Sequence, residues 1–210
     1  MSIIERIRCG NGNVFIISDG ENAILVDTYR EQSKDMIVEK CKDKNIRLIV
    51  LTHGHIDHIG GAAFLSKALN APIAMHEADY SFVKDNRFEQ MFAHTLLGKI
   101  ILKLSEKSFK EDKTDPFPVE RFLKDGDSLH EYGISATIIG LPGHTKGSIG
   151  IIIDDADVIV GDALMNIISP VKAAIYGDKA IMEQSAAKIS TLGNVTVHFG
   201  HGKPVKNRKW

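Results

Sequence analysis

The stretch "LTHGHIDHIGG" (51–61) sets three histidines and an aspartate within six consecutive positions, 53 to 58, and closes on two glycines. It follows "IRLIV" (46–50), a branched apolar run suited to a buried strand. His53 and His55 stand two apart, so on an extended backbone leaving that strand they point to the same side. Asp57 and His58 come where the strand turns into a helix, and Gly60 and Gly61 permit close backbone packing at the corner. Imidazole and carboxylate together suit Zn, Fe or Mn, with no thiolate to make a structural zinc site. A merely polar turn does not call for four ligands directly behind a buried strand. The segment reads as a loop that presents them.

Three further apolar runs end in the same kind of residue. His144 in "GLPGHTKGS" (140–148) follows "ISATIIG", Asp162 in "IVGDALM" (159–165) follows "DVIV", and His201 in "VHFGHGK" (197–203) follows "NVTVHF". Singly, each has an ordinary explanation: a histidine in a turn is commonly solvated, and an aspartate after glycine commonly caps a helix. Their recurrence at strand ends makes them candidates. His76, His130 and His198 lack ligand spacing to the main set and read as structural or solvated.

The rest of the chain alternates strand and helix signals. "NVFIISDGENAILVDT" (13–28) reads as a hairpin whose second strand ends at Asp27, and "APIAMH" (71–76), "YGISATIIG", "SIGIIIDD" and "DVIVGD" read as further strands. Helical spacing marks 31–45, 62–70 and 179–193. Two halves of strands plus helices allow two sheets with helices outside. Residues 1–210 then form one domain with a helical insertion at about 77–119. Within it, 87–109 carries apolar residues at Phe88, Met91, Phe92, Leu96, Ile100 and Leu104, with Leu97, Ile101 and Leu102 widening the arc. That breadth fits a lid over a cleft or a homodimer contact, beside ordinary core packing.

Composition narrows the partners. The 210 residues are 43% hydrophobic and carry 26 basic against 27 acidic side chains, so no strong field recruits nucleic acid or an anionic membrane. A small-molecule substrate is expected, and nucleic acid is not. No run approaches the roughly 20 apolar residues of a membrane span. Cys9 and Cys41 are too few for a disulfide framework, which favours the cytoplasm.

The ordered set "THGHIDHIGG" (52–61), "PGHTKGS" (142–148), "GD" (161–162) and "GHG" (200–202), with "VDT" at 26–28, resembles the metallo-β-lactamase fold superfamily over nearly the whole chain. The resemblance implies an α/β architecture, a four-layer αβ/βα sandwich of two mixed β-sheets flanked by helices, with metals at one edge. It also implies that His53, His55 and His144 bind one divalent ion, that Asp57, His58 and His201 bind a second, and that Asp162 bridges them. Asp27 would brace the histidine loop without touching metal. The expected cofactors are two divalent ions, zinc preferred, with iron or manganese as alternatives.

Two ions about 4 Å apart can share a water and lower its pKa toward neutrality, leaving a hydroxide to attack an ester, thioester, lactone or phosphoester. Asp57 would orient that nucleophile and pass its proton, and Asp162 would hold the two ions together. Among branches of the superfamily, members that cleave β-lactams generally have cysteine or serine where this chain has Asp162. Glyoxalase II carries a helical domain after the last metal histidine, whereas only "GKPVKNRKW" follows His201 here. Lactonases for homoserine lactones usually place a tyrosine where Met165 stands, and nucleases add recognition inserts or a domain. Flavodiiron proteins usually have glutamate at the His55 position. Two other readings stay open: a mononuclear iron persulfide dioxygenase-like oxidoreductase, which retains the same His-X-His-X-Asp-His pattern, and a metal-binding protein without turnover.

Overall fold

The computed structural model describes residues 1–85, 89–111 and 114–210. After β1 (Ile3–Cys9), β2 (Gly12–Asp19) turns Phe15 and Ile17 to one face of its sheet and Val14 and Ile16 to the other. The strands β3 (Asn22–Val26) and β4 (Asn45–Val50) repeat the pattern, with Ile24, Val26, Leu48 and Val50 opposed to Leu25 and Ile49. A sheet apolar on both faces must be covered on both. One face meets helices α1 (Lys34–Cys41) and α3 (Ala62–Leu69) through Ile37, Cys41 and Leu65; between them in sequence lies α2 (Ile56–Ile59), a single turn.

The other face meets a second sheet through Ile138, Ile149, Ile151 and Ile159. That sheet is built from β7 (Ala136–Gly140), β8 (Ile149–Ile153), β9 (Asp157–Ile159), β12 (Thr196–His198) and β13 (Val205–Lys206). Its outer face, at Ile139, Val158 and Val197, is covered by Ala186 and Ile189 of α6 (Lys179–Ser190). Helix, sheet, sheet and helix give the four layers that the resemblance implies.

The first sheet also holds β5 (Ile73–Met75) and β6 (Arg121–Phe122), in the order β1-β2-β3-β4-β5-β6. Its first two pairings are antiparallel and the remaining three parallel. The second sheet runs β13-β12-β9-β8-β7, parallel only between β9 and β12. A short antiparallel pair, β10 (Leu164–Met165) and β11 (Val171–Lys172), lies apart. Both main sheets are therefore mixed. Among the described residues no helix is long and apolar enough to cross a membrane.

Two elements differ from the sequence reading. β1 gives no clean strand signal because Glu5, Arg6 and Arg8 interrupt its apolar residues, and such charges are what a sheet edge carries to discourage further pairing. In the insertion, α4 (Tyr80–Asp85) is followed by α5, which spans Leu96–Glu111 and does not begin at 87. Residues 87 and 88 lie outside the described residues. Met91 and Phe92 are off the helix because the Phe92 N–H donates to Tyr176 O (2.7 Å) and the Tyr176 N–H returns a bond to Phe92 O (3.0 Å), holding Phe92 extended. The Thr95 side chain then starts the helix by accepting from the Gly98 N–H (3.0 Å). A Cβ at Gly98 would lie 2.5 Å from Ala174 O, so the helix rests on the 173–176 segment at that point. Its row of Leu96, Ile100 and Leu104 is 81%, 59% and 65% exposed.

Candidate metal centre

Strands β3 and β4 run parallel, as do β9 and β12, and β7 shares the direction of β9 through two antiparallel steps. Within each sheet these strands therefore end together, and their carboxyl ends carry Asp27, the 53–58 loop, His144, Asp162 and His201. The structure brings all seven candidate ligands to one edge of the sandwich. Three overlapping groups lie close enough to share an ion: His53, His55 and His144; His53, His58 and Asp162; and Asp57, His58 and His201, the ligand atoms of each within 4.8 Å of one another.

Outer hydrogen bonds determine which ring nitrogen faces inward. His144 Nδ1 donates to Ile175 O (2.8 Å), His201 Nδ1 to Asn11 O (2.9 Å) and His58 Nδ1 to Asp27 Oδ2 (2.7 Å). Thr52 Oγ1 donates to Asp27 Oδ2 (2.9 Å) and is thereby left to accept from His53 Nδ1 (3.1 Å). Each arrangement turns Nε2 toward the centre. His53 Nε2 and His144 Nε2 come 3.2 and 3.0 Å from His55 Nδ1. A tetrahedral ion about 2 Å from each nitrogen needs them about 3.3 Å apart, close to this spacing.

Asp162 lies between the two histidine groups. Its Oδ2 is 3.8 Å from His144 Nε2 and 3.4 Å from His201 Nε2, and its Oδ1 is 3.5 Å from His58 Nε2. Both Oδ1 and His58 Nε2 are buried without a hydrogen-bond partner. Buried polar atoms are rarely left so, and an orphaned oxygen and nitrogen facing one another fit a cation between them. Asp57 approaches His201 Nε2 at 3.5 Å and keeps its side chain 21% exposed, unlike the histidines.

The electrostatics divide the site. Burial drives His53 and His55 well below the ordinary histidine value and lowers His144, which favours the neutral ring, the form in which imidazole can bind a metal. Burial also opposes charge on His58 and His201, but Asp27 and Asp162 raise the first well above its ordinary value, and Asp162 with Asp57 raises the second to about 9. Burial would raise the two aspartates, yet His201 and His58 hold Asp162 well below the carboxylate range and lower Asp57. The acidic end already attracts positive charge.

Asp27 takes the bracing position expected of it. It adopts φ +61°, a conformation that is uncommon for a residue with a side chain, and three donors fix its carboxylate: Thr52 N (2.8 Å), Thr52 Oγ1 and His58 Nδ1. Gly61 answers to the same strand end, because a Cβ there would lie 2.9 Å from Thr28 O. A second brace escapes the sequence reading. Asp79, fully buried, accepts from Gly54 N (2.9 Å), Gly147 N (2.7 Å) and Thr145 Oγ1 (2.7 Å), and so ties the 53–55 loop to the 144–148 loop. Burial raises its pKa, and these donors counter the rise. In "HEADY" (76–80) it looks like a surface acid, and no spacing marks it out. Of the set-aside histidines, His198 pairs with Asp157 (2.7 Å) on the neighbouring strand and His76 accepts from Ala78 N (3.1 Å), away from the centre.

The metallo-beta-lactamase superfamily profile matches residues 7–201, and the chain belongs to that superfamily. It is 26% identical over 223 residues to the probable metallo-hydrolase YflN of Bacillus subtilis, covering 94% of this chain and 83% of that protein. It is 29% identical over 153 residues to the hydroxyacylglutathione hydrolase GloC of Haemophilus influenzae, covering 71% of this chain and 64% of that protein. Among solved structures, the BLEG-1 B3 metallo-beta-lactamase superposes with a TM-score of 0.74 at 22% identity, over 97% of this chain and 94% of that one, a likeness of fold.

Proposed function

We propose that this chain is a dinuclear metal-dependent hydrolase of a small ester, thioester, lactone or phosphoester. The observation that carries the reading is Asp162, whose two oxygens reach toward His58, His144 and His201 from between the two histidine groups. His53 Nε2, His55 Nδ1 and His144 Nε2 would hold one ion, and Asp57, His58 Nε2 and His201 Nε2 the other, with Asp162 bridging. Nitrogen and carboxylate donors without thiolate favour zinc, with iron or manganese next. Bound ions would supply Lewis acidity, lowering the pKa of a water and polarising the carbonyl or phosphoryl oxygen under attack.

The chain's own residues do the positioning. Asp57 keeps part of its side chain exposed, so that a carboxylate oxygen not taken up by an ion would accept a hydrogen bond from the attacking water and take its proton in transit. Asp27 and Asp79 keep the two ligand loops in register. Burial raises both thiols, Cys41 to about 11, which argues against a cysteine nucleophile. The two cysteines are buried and unpaired, which supports the cytoplasm as the compartment. The relation to GloC supports thioesters among the substrate classes.

Metal analysis of protein purified without added metal, paired with a hydrolysis panel and an oxygen-uptake assay, tests the reading. Two ions per chain and metal-dependent hydrolysis are expected. One iron with oxygen uptake on a persulfide would replace the reading with the dioxygenase, and bound metal without turnover would replace it with a binding protein.

A further inference from the structure

At the His201 end of the metal centre lies a cavity of about 400 Å³ whose lining includes Arg6, Arg8, Asn11, Asn13, Asn166 and Lys203. Arg6 and Arg8 stand opposite Phe15 and Asn13 in the β1–β2 register, which turns them to the face of the sheet that meets the second sheet. Lys203 comes from the opposite side, on the loop that carries His201. The cavity is built into that loop. Asn13 Nδ2 donates to Phe199 O (2.9 Å) and Gly202 O (2.7 Å), Arg6 Nη1 donates to Gly202 O (2.9 Å), and Asn166 Nδ2 donates to Lys203 O (2.8 Å). Asn11, on the same wall, supplies the carbonyl that orients His201. Gly202 is at φ +106°, and a Cβ there would lie 1.9 Å from Asn166 O, so the loop's close seat on Asn166 depends on glycine.

The charge on this cavity differs from that of the whole chain. The sequence has a formal net charge of −1, yet three cations and no carboxylate line the cavity. Among the described residues, the ion pairs formed elsewhere involve none of the three. Protection of a sheet edge accounts for arginines on β1. It does not account for a lysine from another element converging on the same concavity. Arg6 uses one of its five N–H donors on Gly202 O, and the planar fork of guanidinium suits a carboxylate or a phosphate.

We propose that this cavity binds a carboxylate or phosphate group carried by the substrate away from the bond that is cut, giving a preference for anionic over neutral substrates. Hydrolysis is taken from the reading above; the charge preference rests on the cavity alone.

Matched esters test it. For 4-nitrophenyl valerate, mono-4-nitrophenyl glutarate and the 4-nitrophenyl ester of 4-phosphonobutyrate, kcat/KM is measured with the metal-loaded protein and with its R6Q/R8Q/K203Q variant. The unaltered protein is expected to prefer at least one anionic ester at least about tenfold over the valerate, with the carboxylate and phosphonate arms telling which anion is read. The preference should drop by about tenfold or more in the triple variant, in part in K203Q alone, and should weaken as salt is added. No anionic preference in the unaltered protein, or an undiminished one in a folded triple variant, overturns the proposal. If none of the three esters is cleaved, the hydrolase reading is decided separately by the metal analysis and hydrolysis panel above, and calorimetric titration with glutarate and 4-phosphonobutyrate decides the cavity. Binding that weakens at least about tenfold in the variant upholds it, and equal or absent binding overturns it.

Discussion

The metal edge and the α5 helix invert the usual distribution of side chains. At the edge, histidines and carboxylates are buried; on α5, Leu96, Ile100 and Leu104 face water. The two inversions do not weigh the same. A buried polar atom left without a partner costs about 1–3 kcal/mol, so a cluster of them implies something that satisfies them. An exposed leucine forfeits burial but breaks no directional bond, and scattered apolar exposure is ordinary on protein surfaces. Buried polarity is the sharper indicator of a ligand, and the two regions should respond very differently to substitution.

The largest effect is expected at Asp162. Replacing it with alanine removes the group between the two histidine sets, and metal content should fall below two ions per chain while kcat/KM falls about 1000-fold or more. A variant that retains two ions and near-normal turnover would sink the bridging role and with it the contrast between the two regions.

Asp79 tests whether the braces matter as the ligands do. Asp79→Asn keeps the shape but sets an NH₂ against donors of the 54 and 145–147 segments, and metal affinity should fall about 10- to 100-fold in competition with a chromophoric chelator. Unchanged affinity with a lowered Tm would make Asp79 a folding residue only.

Protons sharpen the comparison from another side. With its pKa raised to about 9, His201 holds a proton at neutral pH that an incoming ion must displace, and His58 is raised as well. Metal uptake near pH 7.5 should therefore release about two protons per chain from these histidines, besides any from ionisation of bound water, read by calorimetry in buffers of different ionisation enthalpy, and affinity should rise as pH climbs toward 9. The sign reverses for folding of the metal-stripped chain. A raised histidine pKa stabilises fully below its ordinary 6.5, and that contribution is lost as pH rises through about 9. Metal uptake that releases no protons would contradict the charge balance described for the acidic end.

The smallest effect is expected on α5. Serine at Leu96, Ile100 and Leu104 removes side chains that already contact water, so Tm should move by only a few degrees. Light scattering on the same variant checks the homodimer expectation for this helix: a mass that halves with the substitutions is the outcome expected if a second copy covers the row.

The candidate ligands were legible in the sequence because each stands directly after an apolar run, and strand ends are where a sheet presents side chains. His53, His55, Asp57 and His58 also announce themselves by crowding. Phe92 shows where such reading fails: its helical spacing with Leu96 is real, but two backbone bonds to Tyr176, 84 positions away, hold it extended. Asp79 fails for a related reason, since its donors come from Gly54, Thr145 and Gly147.

Local pattern by itself marked which residues were candidates for metal chemistry and, with alternating apolar runs, allowed two covered sheets, while the resemblance to the superfamily implied that the candidates meet at one edge. Only tertiary structure decided the roles that depend on distant partners: which ring nitrogen each histidine turns inward, that Asp79 is a second brace of the loops, and where Arg6, Arg8 and Lys203 meet. The physical reason is range. Periodicity records which way a side chain points relative to its own neighbours, while a hydrogen bond or a shared cavity is set by whatever the folded chain places opposite it.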